Sequence, residues 1–401
     1  MKREQGNRER EREREREEKR REEKRREREE KRREEREAMA DQQGQHMKNP
    51  WSCDEEEHYQ KHGVEGSSSF FISPRGGLRL FTRTFLPSSP PLACIGMIHG
   101  YTADISWTFQ NTAIRLAKMG FAVFGMDMEG HGQSDGLKGF LPDLDGIALD
   151  FIAFFASKKS EAPFKDLPFF LFGESLGGGI CLLIHLMESA KQEAPEVESQ
   201  ISSRSPVDDD GDDDKDGLSS SGISIRLDGI LLLSPMCKIS DSMKPPWPLP
   251  QLLNLVAAFA PTWPIVVTKD HRKLSFRDPA KLEISLRNPN KYSGRPRLRT
   301  AAEMVRITEY LGRRLEDVSI PFIVFHGEKD VVTDPEVSKE LFAKARSQDK
   351  TLKLYDGMWH ALLAGERDED VETIYRDIED WLKVRIRRTE KINKGTGNNA
   401  T

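Results

Sequence analysis

Five short apolar runs, each ending in turn residues, constrain this chain more than any other feature. They read CIGMIHG (94–100), FAVFGMD (121–127), PFFLFG (168–173), DGILLLSP (228–235) and PFIVFHG (321–327). A strand with one face in water alternates apolar and polar residues. A run with no polar alternation is buried on both faces. KLYDG (353–357) is a shorter version. Between the runs lie segments of helical periodicity, at about 109–120, 143–159, 175–192 and 370–388. Buried strands alternating with helices predict an α/β fold: a mostly parallel central sheet covered by helices on both faces. The stretch FFISPRGGLRLFTRTFLP (70–87) reads as an opening hairpin that turns at Gly76–Gly77.

Other segments cannot belong to that core. Residues 1–37 hold 18 Lys or Arg and 15 Glu with hardly an apolar side chain. Such a stretch buries nothing, so residues 1–46 are expected to be a charged arm, either disordered or a solvated helix. Glu-Arg alternation is also what a GA repeat encodes, so a translated leader with Met47 as the start is a further expectation. The whole chain has a formal net charge of −5 despite that arm, so the remainder is mildly acidic and lacks the basic footprint of a nucleic-acid binder. The domain is expected over 47–390, with an acidic loop insertion at 190–224 and a flexible tail at 391–401. The insertion carries seven Asp between 208 and 216. The spacing Asp212, Asp214, Asp216, Gly217 faintly resembles a calcium loop, but the twelfth position is Ile223 rather than Glu. A solvated loop is the reading taken, with no metal site. Cys53, Cys94, Cys181 and Cys237 form no C-x-x-C pair and follow no apolar leader, which points to reduced thiols in a cytoplasmic protein. The uncharged stretch Pro245–Thr268 holds six prolines, so it is not a membrane-spanning helix.

In sheets of this kind ligands bind at the carboxyl ends of the strands. The polar residues at those ends are therefore the candidates. Ser175 follows the third run within Gly173-Glu174-Ser175-Leu176-Gly177, a G-x-S-x-G turn between strand and helix. Asp330 follows PFIVFHG, and His360 follows KLYDG. Ser175, Asp330 and His360, in that chain order, form the nucleophile, acid and base of an acyl-transfer triad. A serine hydroxyl is a weak nucleophile at neutral pH, so a base must take its proton; His360 is placed for that. Asp330 would hold the imidazole tautomer. Asp334 is the competing acid, but it precedes Pro335 and reads as a helix N-cap. The backbone N–H of Leu176 is a candidate oxyanion donor. His99, His131 and His326 sit in turns and read as loop hydrogen-bonding residues. His99 and Asp104 also make an H-x4-D pair, a weak acyltransferase signal.

With HGYTAD, GHGQSDG and HGEKDVVTDP, the elbow resembles the α/β-hydrolase superfamily over about residues 55–385. It is most similar to the monoacylglycerol lipase-like branch, whose plant members include caffeoylshikimate esterase-like and lysophospholipase-like proteins. The resemblance implies an α/β-hydrolase fold and no cofactor, and it makes the Tyr101 backbone N–H the second oxyanion donor. Residues 236–300, rich in Pro and Trp, follow the fourth core parallel strand and read as a cap. Trp247, Leu252, Leu253, Val256, Phe259 and Trp263 are its candidates for an apolar substrate tunnel; packing of the cap onto the core is the competing role. The same face would allow peripheral membrane contact. The expected function is a serine carboxylester hydrolase acting on a monoacylglycerol or similar small acyl ester. Alternatives are a hydroxycinnamoyl esterase, a lysophospholipase, an acyltransferase, or a non-catalytic receptor on the same fold.

Overall fold

The computed structural model describes residues 53–201, 223–239, 249–266 and 271–397. The charged arm, the Asp-rich stretch 208–216 and Trp247 lie outside the described residues, so the expectations placed on them stand outside the structure too. After a short helix α1 (Glu55–His62), a hairpin opens the sheet: β1 (Val64–Ile72) pairs antiparallel with β2 (Arg79–Pro87). Gly76 and Gly77 make its turn at φ of 148° and 73°, values that L side chains rarely adopt. Then come β3 (Ala93–Ile98), β4 (Phe121–Met126), β5 (Phe169–Glu174), β6 (Gly229–Leu233), β7 (Phe322–Gly327) and β8 (Lys350–Tyr355). The sheet order is β1-β2-β4-β3-β5-β6-β7-β8, and every pair from β4 to β8 is parallel.

The apolar runs are the central strands, and alternation sorts their side chains to two cores. Cys94, Ile98, Phe124, Phe169, Leu171, Ile230, Leu232, Phe322 and Val324 face one layer. Its helices are α3 (Leu144–Ser160), α4 (Leu176–Ile201) and α9 (Pro335–Lys344). Ile95, Met97, Val123, Phe170, Phe172, Leu231, Leu233, Ile323 and Phe325 face the other. There α2 (Thr108–Lys118) and α10 (Asp368–Gly397) cover the sheet. Each fully buried Phe or Leu contributes about 1.5–3 kcal/mol of transfer free energy, so these layers hold the strand ends in place. Gly96 and Gly229 let helices close down on the sheet: a Cβ would lie 2.8 Å from the Phe155 ring and 2.8 Å from the Trp381 ring, respectively.

Helix ends differ from expectation in two places. The helix α4 continues to Ile201, into the stretch expected as loop from residue 190: the Glu and Gln residues there are good helix formers, and the helix carries Pro195 within it. Likewise α10 runs to Gly397 rather than giving way to a tail at 391, because no Gly or Pro interrupts residues 368–394. After β6 the chain leaves the sheet for the cap. The described cap helices are α5 (Leu249–Phe259), α6 (His271–Ser275) and α7 (Pro279–Leu286), followed by α8 (Leu298–Gly312). Among the described residues no helix is long and apolar enough to cross a membrane.

Candidate active site

The parallel register brings the strand ends to one level: Ile98 lies beside Gly173, Glu174 beside Leu233, Leu233 beside Phe325 and Gly327 beside Tyr355. The loops after β3, β5, β6, β7 and β8 therefore meet on one side of the sheet. Ser175 turns the chain from β5 into α4 at a φ of 55°. Its N–H donates to the Leu233 carbonyl at 2.9 Å, and its carbonyl accepts from Gly178 N–H at 3.0 Å and Met236 N–H at 2.9 Å. The neighbouring glycines leave no room for side chains. A Cβ on Gly173 would lie 2.4 Å from the Gly177 carbonyl, and one on Gly177 would lie 2.1 Å from that of Ile98. Thr102 (φ 64°) and Ser234 (φ 42°) are the other two non-glycine residues at positive φ among the described residues. All three stand at strand ends around this site. Such backbone costs about 1–3 kcal/mol per residue and persists where the surroundings enforce it.

The structure brings Asp330 and His360 together. Asp330 Oδ2 lies 2.7 Å from His360 Nδ1, and both side chains are buried. An ionised carboxylate only accepts, so Nδ1 carries the proton and Nε2 is left for a substrate-side partner. The Thr333 hydroxyl donates to the same Oδ2 at 2.8 Å, with the Ser234 carbonyl 3.1 Å away on its other side. Asp330 Oδ1 accepts from the backbone N–H groups of Val332 at 2.7 Å and Thr333 at 3.0 Å. His326 reaches in from β7: its Nε2 lies 3.1 Å from Asp330 Oδ2 and 3.1 Å from the Thr333 carbonyl. Both are acceptors, so Nε2 bears the proton and Nδ1 accepts from Ser338 Oγ at 2.7 Å. Burial alone would raise the Asp330 pKa. The His360 charge and the hydrogen bonds from His326 and His360 outweigh burial and hold the carboxyl far below the usual carboxylate range. Burial likewise opposes the charged form of His360, but Asp330, helped by the charge of Glu174, carries its pKa above that of an ordinary imidazole.

Asp334 does something else. Its side chain accepts from the Glu336 N–H and caps α9, with Pro335 at the first helical position. His99 and Asp104 form no dyad of their own. Nε2 of His99 accepts from Met128 N–H at 3.0 Å, and burial pushes the imidazole pKa down to about 4. Asp104 accepts from the N–H groups of Ser106 and Trp107, and from Asn288 Nδ2 at 2.6 Å. That last bond, with Trp107 Nε1 donating to the Ile284 carbonyl at 2.7 Å, ties the loop after β3 to the cap. Asp127 accepts from Ile105 and Gln133 N–H groups and shapes the GHGQSDG turn. Cys237 is fully buried, and desolvation pushes its thiol up to about 12, so it is inert.

Ser175 and His360 open into one cavity of about 500 Å³. Tyr101 and Leu176 line it as well. Gly100 presses the loop of Tyr101 against the serine: a Cβ there would lie 3.4 Å from Ser175 Cβ. Leu176 begins α4, where free N–H groups and the helix dipole favour negative charge. The tunnel candidates among the described residues, Leu253, Val256, Phe259 and Trp263, are not in this lining. Leu253 and Val256 pack α5 onto Leu298 and Ala302 of α8 instead. Phe259 is 84% exposed and Trp263 58%, so both face outward. The Leu252 side chain lies outside the described residues. Apolar composition marks these residues as part of a cap, not which side of it faces the cavity. The cap supplies Phe276, Lys291 and Tyr292 instead. Thr333 and Ser338 were also missed. The spacing Asp330-x-x-Thr333 in DVVT was the one available sign of the first, since it suits a side chain folding back on its own turn.

Comparison with known proteins fits this geometry. A family model described as Serine aminopeptidase, S33, matches residues 89–203 and 223–368. Its gap falls on the Asp-rich stretch. The sequence is 35% identical to caffeoylshikimate esterase of Arabidopsis thaliana, over 83% of this chain and 90% of that protein. It is 26% identical to monoglyceride lipase of Homo sapiens, over 77% of this chain and 88% of that one. A soluble variant of monoglyceride lipase from Saccharomyces cerevisiae superposes with a TM-score of 0.63 at 20% identity, covering 80% of this chain and 95% of that chain, and so shares the fold.

Proposed function

This chain belongs to the Serine aminopeptidase, S33, family of α/β-hydrolases, and from that membership and the site geometry we propose that Ser175, His360 and Asp330 cleave the ester of a monoacylglycerol or similar lipid through an acyl-enzyme. The chain is a serine ester hydrolase acting on a small-molecule ester; the residue roles and the substrate are our reading. One observation carries it. Asp330 Oδ2 sits 2.7 Å from His360 Nδ1, while the strained elbow turns Ser175 into the cavity that His360 lines.

In this reading His360 Nε2 takes the Ser175 proton as Oγ attacks the ester carbonyl. Asp330 keeps the proton on Nδ1 and stabilises the imidazolium that forms. The backbone N–H groups of Tyr101 and Leu176 receive the oxyanion, and loss of one such donor costs about 3 kcal/mol of barrier. The imidazolium then protonates the leaving alcohol. Water, activated by the same His360, releases the acid.

The lining supports a lipid or aromatic acyl group, with Met236, Phe276, Met304 and Val332 among its residues. A hydroxycinnamoyl ester is the second reading, favoured by the 35% identity to caffeoylshikimate esterase. We place the outward apolar residues of the cap, Leu255, Phe259, Trp263 and Ile265, against a lipid surface. Acid release from monoolein, lysophosphatidylcholine and caffeoylshikimate tests the reading. Turnover of monoolein, lost in Ser175→Ala, is expected. Turnover of caffeoylshikimate alone would replace the lipid reading with the hydroxycinnamoyl one.

A further inference from the structure

Glu174 occupies the variable position of the elbow, directly before Ser175, at the end of a strand that is otherwise wholly apolar. It lines the cavity with Ser175 and His360. Among the described residues no hydrogen bond or ion pair reaches its carboxylate; the groups that act on it, His360 and Lys291, do so through charge alone. The residue is half-buried, and a carboxylate partly withdrawn from water with no protein donor of its own loses hydration that nothing replaces. Burial accordingly raises its pKa, and His360 and Lys291 pull it back down. Lys291 is itself turned to the site, where its Nζ donates to Ser285 Oγ at 2.9 Å, and both residues line the cavity. The triad does not use Glu174, because His360 already has Asp330 as its partner. An acceptor in this position lacks a donor, and the substrate is what can supply one beside the scissile bond.

We propose that Glu174 selects the alcohol part of the substrate, its carboxylate accepting a hydrogen bond from a free hydroxyl next to the ester oxygen. The enzyme then prefers esters of polyhydroxylated alcohols, such as a glycerol or a cyclic polyol, over simple alkyl esters. The group beside the nucleophile reads the leaving alcohol, and the apolar lining is left for the acyl chain. Lys291 and Ser285 supply further polar groups for a second hydroxyl. A site built to bond a hydroxyl discriminates against the analogue lacking it, because the acceptor, shielded by the bound substrate, is then left unpaired. A hydrogen bond to a charged acceptor corresponds to a preference of roughly ten- to hundredfold.

The proposal rests on Ser175 being the nucleophile of an ester hydrolase, and its test separates the two ideas. kcat/KM is measured for 1-monobutyrin and for methyl butyrate with wild type, Glu174→Gln and Glu174→Leu. Wild type is expected to prefer monobutyrin, and Glu174→Leu to lower the ratio of the two constants at least tenfold. Glu174→Gln is expected to lower it at least threefold, less than Leu because the amide oxygen still accepts; it decides the matter if the Leu variant does not fold. Cleavage of both esters with no wild-type preference, or with a ratio within twofold of wild type in the variants, overturns the role of Glu174 and leaves the hydrolase reading standing. Cleavage of neither ester by wild type overturns the role of Glu174, and the absence of acid release from monoolein and caffeoylshikimate as well overturns the hydrolase reading.

Discussion

At Asp330 the donors converge on a single oxygen: His360, Thr333 and His326 all approach Oδ2, and two backbone N–H groups take Oδ1. The carboxylate is thereby kept ionised while buried, and it fixes the His360 tautomer. The sign for activity follows. The base must be neutral, and its pKa is raised, so kcat/KM should fall with decreasing pH through a point above that of an ordinary imidazole. Asp330→Asn should lower kcat on the order of 10⁴-fold and move the residual acid limb to lower pH. An unchanged acid limb in a well-folded variant would refute the assignment of Asp330. Stability has its own sign. The folded-state pKa of Asp330 is depressed, so its contribution is present above the unfolded carboxyl pKa and is lost as pH falls through the folded one. At this scale the sequence pointed to Ser175, Asp330 and His360, because each follows the carboxyl end of a strand. It did not show Ser338 behind His326, or that Glu174 has no donor among the described residues, because those facts depend on how separate loops fold against each other.

Strands were the elements most easily read. Burial on both faces leaves β3 to β7 few polar residues, and a run of apolar residues between turn signals has few other structures open to it. The edge strand β8 starts three residues before its apolar signal, since an edge tolerates Lys350 and Thr351. Helix starts were readable where a capping residue marked them, as Asp334 does for α9. Helix ends at Ile201 and Gly397 were not, because polar residues suit either a solvated helix or a loop. The cap was recognised as an apolar insertion but not oriented, since apolar content alone does not say whether Leu253 faces a substrate or α8. Asp334 permits a clean test at this scale. Asp334→Ala removes an N-cap and should cost about 1 kcal/mol of stability, lowering Tm by about 2–4 °C. Ester hydrolysis should stay within twofold of wild type; a dead enzyme would make Asp334 the acid after all.

Across the whole molecule, the alternation of strand and helix places five loops on one side of the sheet, and the chemistry follows from that convergence. The same side carries the cap, whose outward residues Leu255, Phe259, Trp263 and Ile265 are 59, 84, 58 and 49% exposed. These are the residues of the proposed contact with a lipid surface. Co-sedimentation with phosphatidylcholine vesicles should fall at least fivefold in Phe259→Ser/Trp263→Ser, with hydrolysis of soluble monobutyrin retained; equal sedimentation would remove the membrane role. The central claim is that the fold activates Ser175, and labelling with a fluorophosphonate tests it most directly, because the probe needs an activated serine rather than the natural substrate. Mass spectrometry of the labelled wild-type protein should place the adduct on the peptide bearing Ser175, with none in Ser175→Ala. An adduct on another residue, or equal labelling of the two proteins, would contradict the account.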